Sequence, residues 1–258
     1  MWSGAYRTKI MDFGEDNLAV YNSADGLLHY PLGAPVAPEK LYSLAMDFRR
    51  AGLLKADYLY NVPPNYVEMF PDAREYFNIA ADPADADYIY SIENIMEMRG
   101  ARLRKKRNHI KHFEENFPDF ETEEITPENV AAAGEFIREM DAGKGLEKEA
   151  LAADVAVRHF AELGLRGLTL KDGSGKTLAL AVFSALNSDI FTIHFEKSHH
   201  EAAGAPQMMV KLEAEALSAL GAKFMNREQD LGDEHLRQAK SSLDPIRMYR
   251  RERAYLKL

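Results

Sequence analysis

The sequence of 258 residues predicts a mixed α/β fold in which sheets are flanked by helices. Segments with the two-residue period of strands alternate along the chain with segments that have the 3.6-residue period of helices. In the second half, strand segments at residues 165–171, 176–186 and 189–196 are separated only by turn residues, which predicts an antiparallel meander. Both halves run in the order strands, helix, strand, which indicates an internal structural duplication.

Turn chemistry and helix-end signals place the elements of the first half. Residues 18–21 and 27–30 flank Ala24-Asp25-Gly26, and this spacing predicts a hairpin. A helix is expected to begin at Pro38 and to end before Gly52, a residue suited to a helix C-terminal cap. The remaining predicted elements of this half are a strand at residues 58–60, a short helix at residues 66–70 and a strand at residues 87–92.

The second half begins with a basic helix at about residues 101–117, which Pro118 ends. The next helix is expected to start with Thr126 as its cap and Pro127 at its first position. The other predicted elements, besides the meander, are a helix at 147–163, a helix at 206–220, a strand at 223–226, a helix at 233–241 and a terminal segment at 247–255.

Composition excludes several classes of protein and of site. No apolar run is long enough to span a membrane, and the first residues lack the basic-then-apolar layout of a signal peptide. The chain has no cysteine, which excludes disulfides, thiolate catalysis and cysteine-ligated metal sites. Together these features predict a cytoplasmic protein. The pI near 5.4 argues against general coating of nucleic acid, so we expect any such contact to be local.

The most unusual segment is residues 99–112, RGARLRKKRNHIKH, which contains seven Lys or Arg and no acid. Removing these seven charges from the net charge of −9 leaves −16 on the rest of the chain. A positive cluster on an acidic background indicates a polyanionic partner. Leu103, Ile110, Phe113 and Phe117 form an inner stripe, so Lys105 and its basic neighbours face away from the core. The alternative is a solvated helix face that binds nothing.

A second unusual segment, residues 226–230, places five polar residues directly after a hydrophobic strand. Chemistry in α/β proteins is often found where strands end at a cleft. Glu228 and Asp230 are therefore candidate catalytic acid–base groups, and Arg227 could hold a carboxylate or phosphate. The alternative is an ion-paired corner that fixes the last helix, with Asp230 as its cap.

Three histidines, His194, His199 and His200, raise the question of a metal site. Neighbouring histidines direct their rings apart, and no carboxylate spacing completes a ligand set. We therefore expect no metal.

Three motifs resemble the phosphatidylglycerol lysyltransferase C-terminal family. They are Lys105-Lys106-Arg107-Asn108-His109-Ile110 with Phe113 and Phe117-Pro118, then Phe195-Glu196-Lys197 with Gly204-Ala205, and Asn226-Arg227-Glu228-Gln229-Asp230-Leu231-Gly232 with Leu236-Arg237, Ala239-Lys240-Ser241 and Pro245. They extend through more than half of the chain, and the third is the most specific. The resemblance implies two tandem GNAT-like domains, each a mixed, mainly antiparallel sheet flanked by helices.

The expected division is a first GNAT-like domain at residues 1–98, a basic connecting helix at 99–125 and a second GNAT-like domain at 126–258. The first domain is expected to be incomplete at its N-terminus, because the chain starts where family members already have a further helical region. The resemblance also implies transfer of an aminoacyl group from aminoacyl-tRNA to an amine or hydroxyl acceptor, either a lipid head group or a soluble molecule.

Under this interpretation Lys105, Lys106 and Arg107 contact phosphates, and Asn108 contacts ribose or base. The other expected substrate-binding residues are Glu196, Asn226 and Arg227.

Coenzyme A is the alternative donor, and the loop at residues 201–206 argues against it. Its first position is Glu201, which repels a pyrophosphate, and its last is Pro206, which has no N–H to donate. We therefore expect no cofactor. Two other hypotheses stay open: a coenzyme A-dependent N-acyltransferase, and a non-catalytic module that binds polyanions.

Overall fold

The structure, a computed structural model, describes all residues from 1 to 258. The chain forms two compact units, which we call unit 1 (Met1–Ala86 with Arg250–Leu258) and unit 2 (Asp87–Tyr249). No helix is both long and apolar enough to cross a membrane.

The elements of the first 86 residues are α1 (Ser3–Tyr6), β1 (Thr8–Gly14), β2 (Asn17–Asn22), β3 (Leu27–His29), α2 (Pro38–Arg50), β4 (Tyr58–Val62), α3 (Tyr66–Met69), α4 (Ala73–Tyr76), β5 (Phe77–Ala81) and a 3₁₀ turn (Pro83–Asp85). The elements that follow are β6 (Asp87–Ser91), α5 (Ile92–Glu97), α6 (Arg104–Asn116), β7 (Glu121–Glu124), α7 (Val130–Asp141), α8 (Glu147–Arg158), β8 (Arg166–Lys171), β9 (Thr177–Ala185), β10 (Ile190–Ser198), α9 (Ala205–Ala219), β11 (Phe224–Asn226), α10 (Glu234–Ser241), β12 (Arg247–Tyr249) and β13 (Glu252–Leu256).

The sheet of unit 1 has six strands in the order β1-β2-β3-β4-β13-β5. Every neighbouring pair is antiparallel except β3 and β4, which run parallel because α2 carries the chain from one to the other. The predicted hairpin of β2 and β3 and the predicted helix from Pro38 are both present. The core behind this sheet is apolar and aromatic, with Leu28, Leu41, Leu59 and Tyr66 fully buried.

The sheet of unit 2 has seven strands in the order β12-β6-β11-β10-β9-β8-β7. Strands β8, β9 and β10 form the predicted antiparallel meander, and β10 and β11 are the one parallel pair, joined through α9. The predicted inner stripe of α6 is confirmed, since Leu103, Ile110 and Phe113 are buried in a core with α9. Packing of this stripe leaves the basic residues of α6 on its outer side.

The two sheets share one topology, which confirms the predicted duplication and the prediction of mixed, mainly antiparallel sheets. In each sheet a parallel pair joined by a helix is followed by two further antiparallel strands. The fold is therefore two mixed, mainly antiparallel sheets flanked by helices, as expected.

In each sheet, the two strands beyond the parallel pair come from parts of the chain that are remote in sequence. These strands are β13 and β5 in unit 1, and β6 and β12 in unit 2. The observed boundaries, after Ala86 and after Tyr249, therefore differ from the predicted ones, which lay after residue 98 and after residue 125. The reason is that pairing of β6 and β13 depends on contacts remote in sequence, and that α6 packs on α9 instead of connecting two domains.

At three places the local sequence pattern predicted the wrong element or predicted none. The helix expected from Thr126 begins at Val130, because Thr126 and Asn129 form a turn in which the Thr126 N–H donates to Asn129 Oδ1 over 2.7 Å. Strand β7, with the sequence ETEE, is exposed at every position and so carries no hydrophobic pattern. The terminal segment is not one element, since it divides into β12 and β13 in different sheets.

Candidate functional site

The candidate site lies where the parallel pair of unit 2 separates. Strands β10 and β11 pair from Ile190↔Phe224 to Thr192↔Asn226, and beyond this point β10 continues to Ser198 while the other strand ends. In open α/β sheets, ligands bind in the crevice outside the carboxyl ends of strands where neighbouring strands diverge. The polar motif at residues 226–230 begins at this point, as the sequence predicts.

A buried hydrogen-bond network shapes the start of the loop after β11. The Asn226 side chain donates to Asp87 Oδ2 over 3.1 Å and accepts from the Glu228 N–H over 2.8 Å, and Gln229 donates to the other oxygen of Asp87. Glu228 adopts a left-handed backbone with φ of +54°. Asn226 is thus committed to shaping the loop, and its predicted contact with substrate stays a prediction.

Asp230 is enclosed by hydrogen-bond donors. Arg237 donates to both of its oxygens, over 2.9 and 3.0 Å, the Tyr88 hydroxyl donates over 2.7 Å, and the Gly232 N–H donates over 2.8 Å. The hydrogen bond from Arg237, supported by those from Tyr88 and Gly232, lowers the pKa of Asp230 to about 2. Its side chain is 1% exposed. These surroundings are those of an ion-paired corner, although the helix cap itself is Asp233.

Arg227 is the centre of a second, charged cluster. Its guanidinium pairs with Glu196 and lies 5.9 Å from the ring centre of Tyr90. Glu213 of α9 is completely buried next to this pair, and burial, followed by the charge of Glu196, raises its pKa well above the usual range. A neutral Glu213 leaves the Arg227–Glu196 pair balanced in charge.

Two lysines adjoin Arg227 from different helices. Lys240 of α10 donates to the backbone carbonyls of Arg227 and Gln229, and burial together with the charge of Arg227 lowers its pKa to about 8. Lys106 of α6 has its pKa lowered by burial, then by Arg227 and Lys105. Lys106 of the basic helix is therefore near enough to Arg227 for the two charges to interact.

Glu228 is the accessible carboxylate of the loop, with a side chain 33% exposed. One of its oxygens lies 3.7 Å from Nδ1 of His194, whose side chain is 13% exposed. The other ring nitrogen, Nε2, lies 2.8 Å from the Ser184 hydroxyl. Because Asp230 is closed and Glu228 is open, Glu228 is the better placed of the two predicted catalytic residues.

The predicted RNA-binding residues of α6 differ in their exposure to solvent. Lys105 and Asn108 are exposed, whereas Lys106 is half-buried at the inner flank. Arg107 donates to the backbone carbonyls of Met98 and Gly100, so its guanidinium clamps the preceding loop. Phosphate binding by these side chains stays a prediction, and Arg107 is the least available of them.

The loop before α9 is closed to anions. Gly204 has φ of +87°, and a Cβ atom added there would meet the His109 carbonyl oxygen at 2.3 Å, so α6 covers this point. The loop N–H groups donate to carbonyls of the same loop at Ala202, Ala203 and Ala205. Pro206 has no N–H. The first turn of α9 therefore lacks the free donors that bind phosphate at helix N-termini.

No group of three or more His, Asp or Glu side chains in residues 1–258 is placed to hold a metal ion. The His199 and His200 rings stack on each other with centroids 5.2 Å apart.

The polar residues that the sequence predicts to form a site do lie at the end of β11, but sequence reasoning missed several of their neighbours in the structure. It did not assign Asp87, Lys240, Glu213 or His194 to the site. Lys240 had a signal, because it belongs to the same family motif as residues 226–232. The others had none, since strand pairing and helix packing bring them in from distant parts of the chain.

Comparisons with known proteins agree with this fold. The model of the family described as phosphatidylglycerol lysyltransferase, C-terminal, matches residues 1–255. A comparison with the curated proteins found no match.

Among solved structures, a conserved protein of unknown function from Bacteroides thetaiotaomicron VPI-5482 is similar over 99% of this chain and 88% of its own, with 29% identity and a TM-score of 0.84. The C-terminal domain of a putative lysylphosphatidylglycerol synthetase from Agrobacterium fabrum is similar over 100% of this chain and 86% of its own, with 14% identity and a TM-score of 0.66. FemX is similar over 99% and 90%, with 9% identity and a TM-score of 0.61.

Proposed function

Because this chain belongs to the phosphatidylglycerol lysyltransferase C-terminal family, we propose that it transfers an aminoacyl group from aminoacyl-tRNA to an amine or hydroxyl acceptor. Family membership supports a transferase of the acyl-transfer type. The donor, the acceptor and the site residues are the proposed part. The cytoplasmic location likewise stays a prediction from the sequence.

One observation carries the choice of donor: α6 has exposed basic residues on its outer side, and its half-buried Lys106 is near enough to Arg227 of the strand-end cluster for the two charges to interact. An aminoacyl-tRNA must place its phosphates on a protein surface while its aminoacyl ester enters a cleft. Lys105 and its exposed basic neighbours suit the phosphates, and Asn108 suits ribose or base. The region beyond the end of β11, with Arg227 and Glu196, suits the ester and its amino acid.

The proposed reaction needs no covalent intermediate. The acceptor nitrogen or oxygen attacks the ester carbonyl carbon, the ester bond to the ribose breaks, and the positioning of the two substrates supplies much of the rate. A base that takes the acceptor proton must be reachable and ionised. Glu228 is easier to reach than Asp230, whose oxygens are committed to Arg237, Tyr88 and Gly232.

The loop before α9 supports the exclusion of coenzyme A as donor. Its N–H groups at Ala202, Ala203 and Ala205 donate to carbonyls of the same loop, Glu201 adds negative charge, and Pro206 removes a donor. We therefore propose that the protein works without a cofactor.

The acceptor is proposed at the level of chemistry. The similar protein from Agrobacterium fabrum is named for lysylphosphatidylglycerol, which makes a lipid head-group hydroxyl one candidate acceptor, and a soluble amine is the other.

Native mass spectrometry after incubation with total charged tRNA and, separately, with acetyl coenzyme A tests the donor. We expect a complex with tRNA and none with coenzyme A. Following radiolabelled amino acids from the charged tRNA into phosphatidylglycerol vesicles or into soluble amines then tests transfer and separates the two acceptors. A complex with coenzyme A and acyl transfer from it would replace the proposal with the alternative enzyme. Binding of tRNA without transfer to either acceptor would leave a polyanion-binding module.

A further inference from the structure

Two side chains behind Glu228 take no part in the reaction as described. We propose that His194 is a positioning residue that orients Glu228 as the proton acceptor, and that Ser184 fixes the tautomer of His194. This inference rests on the proposed function and adds to it the residues that prepare its base.

In the proposed arrangement, protons are donated from Ser184 to His194 and from His194 to Glu228. The Ser184 hydroxyl lies 2.8 Å from His194 Nε2. If Ser184 donates its proton there, the neutral ring carries its own proton on Nδ1. Nδ1 is buried and has no hydrogen-bond partner, and Glu228 Oε1 lies 3.7 Å from it. A small movement of Glu228 would convert this contact into a charge-assisted hydrogen bond.

The backbone brings both side chains to this point by irregular conformations. His194 lies within a β-bulge, where the pairing of β10 with β9 shifts between Ile193 and Phe195. Bulges re-aim side chains and are common next to active sites. Glu228 has a left-handed backbone, a conformation that costs free energy in a residue other than glycine and is found at functional sites.

The arrangement leaves the second oxygen of Glu228 for the substrate. When the acceptor atom bonds to the ester carbonyl carbon, its proton passes to Glu228 Oε2. When the bond between that carbon and the ribose oxygen breaks, the ribose oxygen takes up the proton and Glu228 returns to its ionised form. His194 and Ser184 keep their protons throughout, so they orient the base and do not exchange with substrate.

Two substitutions at His194 separate this role from a merely structural one. Asparagine places its amide nitrogen near the position of Nδ1, so H194N retains a donor toward Glu228. Glutamine places its amide near Nε2, so H194Q retains only the contact with Ser184. We expect single-turnover transfer to fall about tenfold to a hundredfold in H194Q, within the range that a general base contributes, and less than fivefold in H194N. S184A should lose a few-fold, and the exposed controls H200Q and S188A nothing.

The outcomes distinguish the inference from the function on which it rests. If the wild-type protein transfers an amino acid and H194Q is equally fast, or if H194N and H194Q are impaired alike with lowered melting temperatures, the positioning role is wrong and the proposed function stands. If the wild type transfers nothing, the proposed function fails, and the contact between His194 and Glu228 can still be tested by determining the tautomer of His194. Two-dimensional ¹⁵N–¹H NMR of the imidazole should show the Nδ1–H form, with an Nδ1 resonance that moves in E228Q and stays in H200Q. An Nε2–H ring, or one indifferent to E228Q, overturns the inference.

Discussion

The six strands of unit 1 have counterparts in the same spatial order in unit 2, but the side chains at the end of the parallel strand pair differ between the units. In unit 1 the pair ends at His29↔Tyr60, and the Asn22 and Asn61 amides lie 2.9 and 3.2 Å from the two ring nitrogens of His29. Burial, with the charge of Arg251, lowers the pKa of His29 to about 4, so the ring is neutral near pH 7. In unit 2 the equivalent position opens into charged residues that surround Arg227 and Glu228.

This difference shows how a duplicated fold can divide its tasks. The cluster of unit 1 is a histidine between two amide side chains, one of which accepts a hydrogen bond from Arg251. The cluster of unit 2 contains a buried acid with a raised pKa, a lysine with a lowered pKa and a carboxylate that is one-third exposed. Perturbed ionisable groups at a strand end mark candidate chemistry. His29 of unit 1 also has a shifted pKa, but unit 2 adds an accessible carboxylate, Glu228, so we place the proposed transfer reaction in unit 2 and expect a structural role for the cluster in unit 1.

The largest effect is expected from E228Q, which removes a charge without changing the size of the side chain. If Glu228 is the base, single-turnover transfer should fall about 10²–10⁴-fold, with the melting temperature nearly unchanged. The matched change in unit 1 is D82N, where asparagine caps the 3₁₀ turn as well as aspartate does, and it should leave the rate unaltered. A large loss in D82N, or none in E228Q, would break the division between the units.

The next effect concerns acid stability and His29. The unfolded chain binds a proton on this histidine below pH about 6.5, whereas the folded chain does so only near pH 4. The free energy of unfolding should therefore decrease as pH falls through this window, by up to about 3 kcal/mol. Hydrogen exchange, corrected for the intrinsic pH dependence, should show β3 and β4 opening more readily at pH 5 than at pH 7, with β10 and β11 less affected. H29N should abolish this dependence.

A smaller effect is expected from D230N in unit 2. The pKa of Asp230, lowered to about 2 chiefly by Arg237, contributes stability that is present above pH about 4 and is lost as pH falls toward 2. Because the Arg237 side chain is 44% exposed, solvent screening reduces this contribution to about 1–2 kcal/mol. The variant should unfold at lower denaturant concentration and still transfer within tenfold of wild type. A loss of rate comparable with that of E228Q would return Asp230 to the catalytic residues.

The smallest effect is on the salt dependence of tRNA binding. Changing the exposed Arg104, Lys105 and Lys111 of α6 to glutamine should reduce the slope of log affinity against log salt by up to about 0.7 per lost phosphate contact. The control changes the exposed Arg7, Lys9 and Arg50 of unit 1, which removes the same charge. Equal slopes in the two triple variants would show that α6 has no special role in binding the polyanion.

Local sequence signals were sufficient for the parts of the fold that depend on neighbouring residues. The meander, the helix from Pro38 and the inner stripe of α6 follow from periodicity and turn residues, and all three are confirmed. Partners remote in sequence carry no such signal. The enclosure of Asp230 depends on Tyr88, which lies 142 residues away and reaches it only because β6 pairs with β11. Exposed edge strands such as β7 are silent because no face of theirs is buried.

Because β6 belongs to unit 2 and β13 returns to unit 1, a single cut near the middle of the chain cannot separate the two units. Cutting between residues 98 and 99, at the expected end of the first domain, would leave the sheet of unit 1 without β13 and deprive β11 of its neighbour β6. Both fragments would then expose unpaired strand edges inside their sheets, which favours aggregation. The same holds for a stop codon only nine residues before the end, since it removes β13 from between β4 and β5. Unit 2 is one continuous segment between the two segments of unit 1, so a division that leaves both sheets whole needs two cuts, one at each end of Asp87–Tyr249.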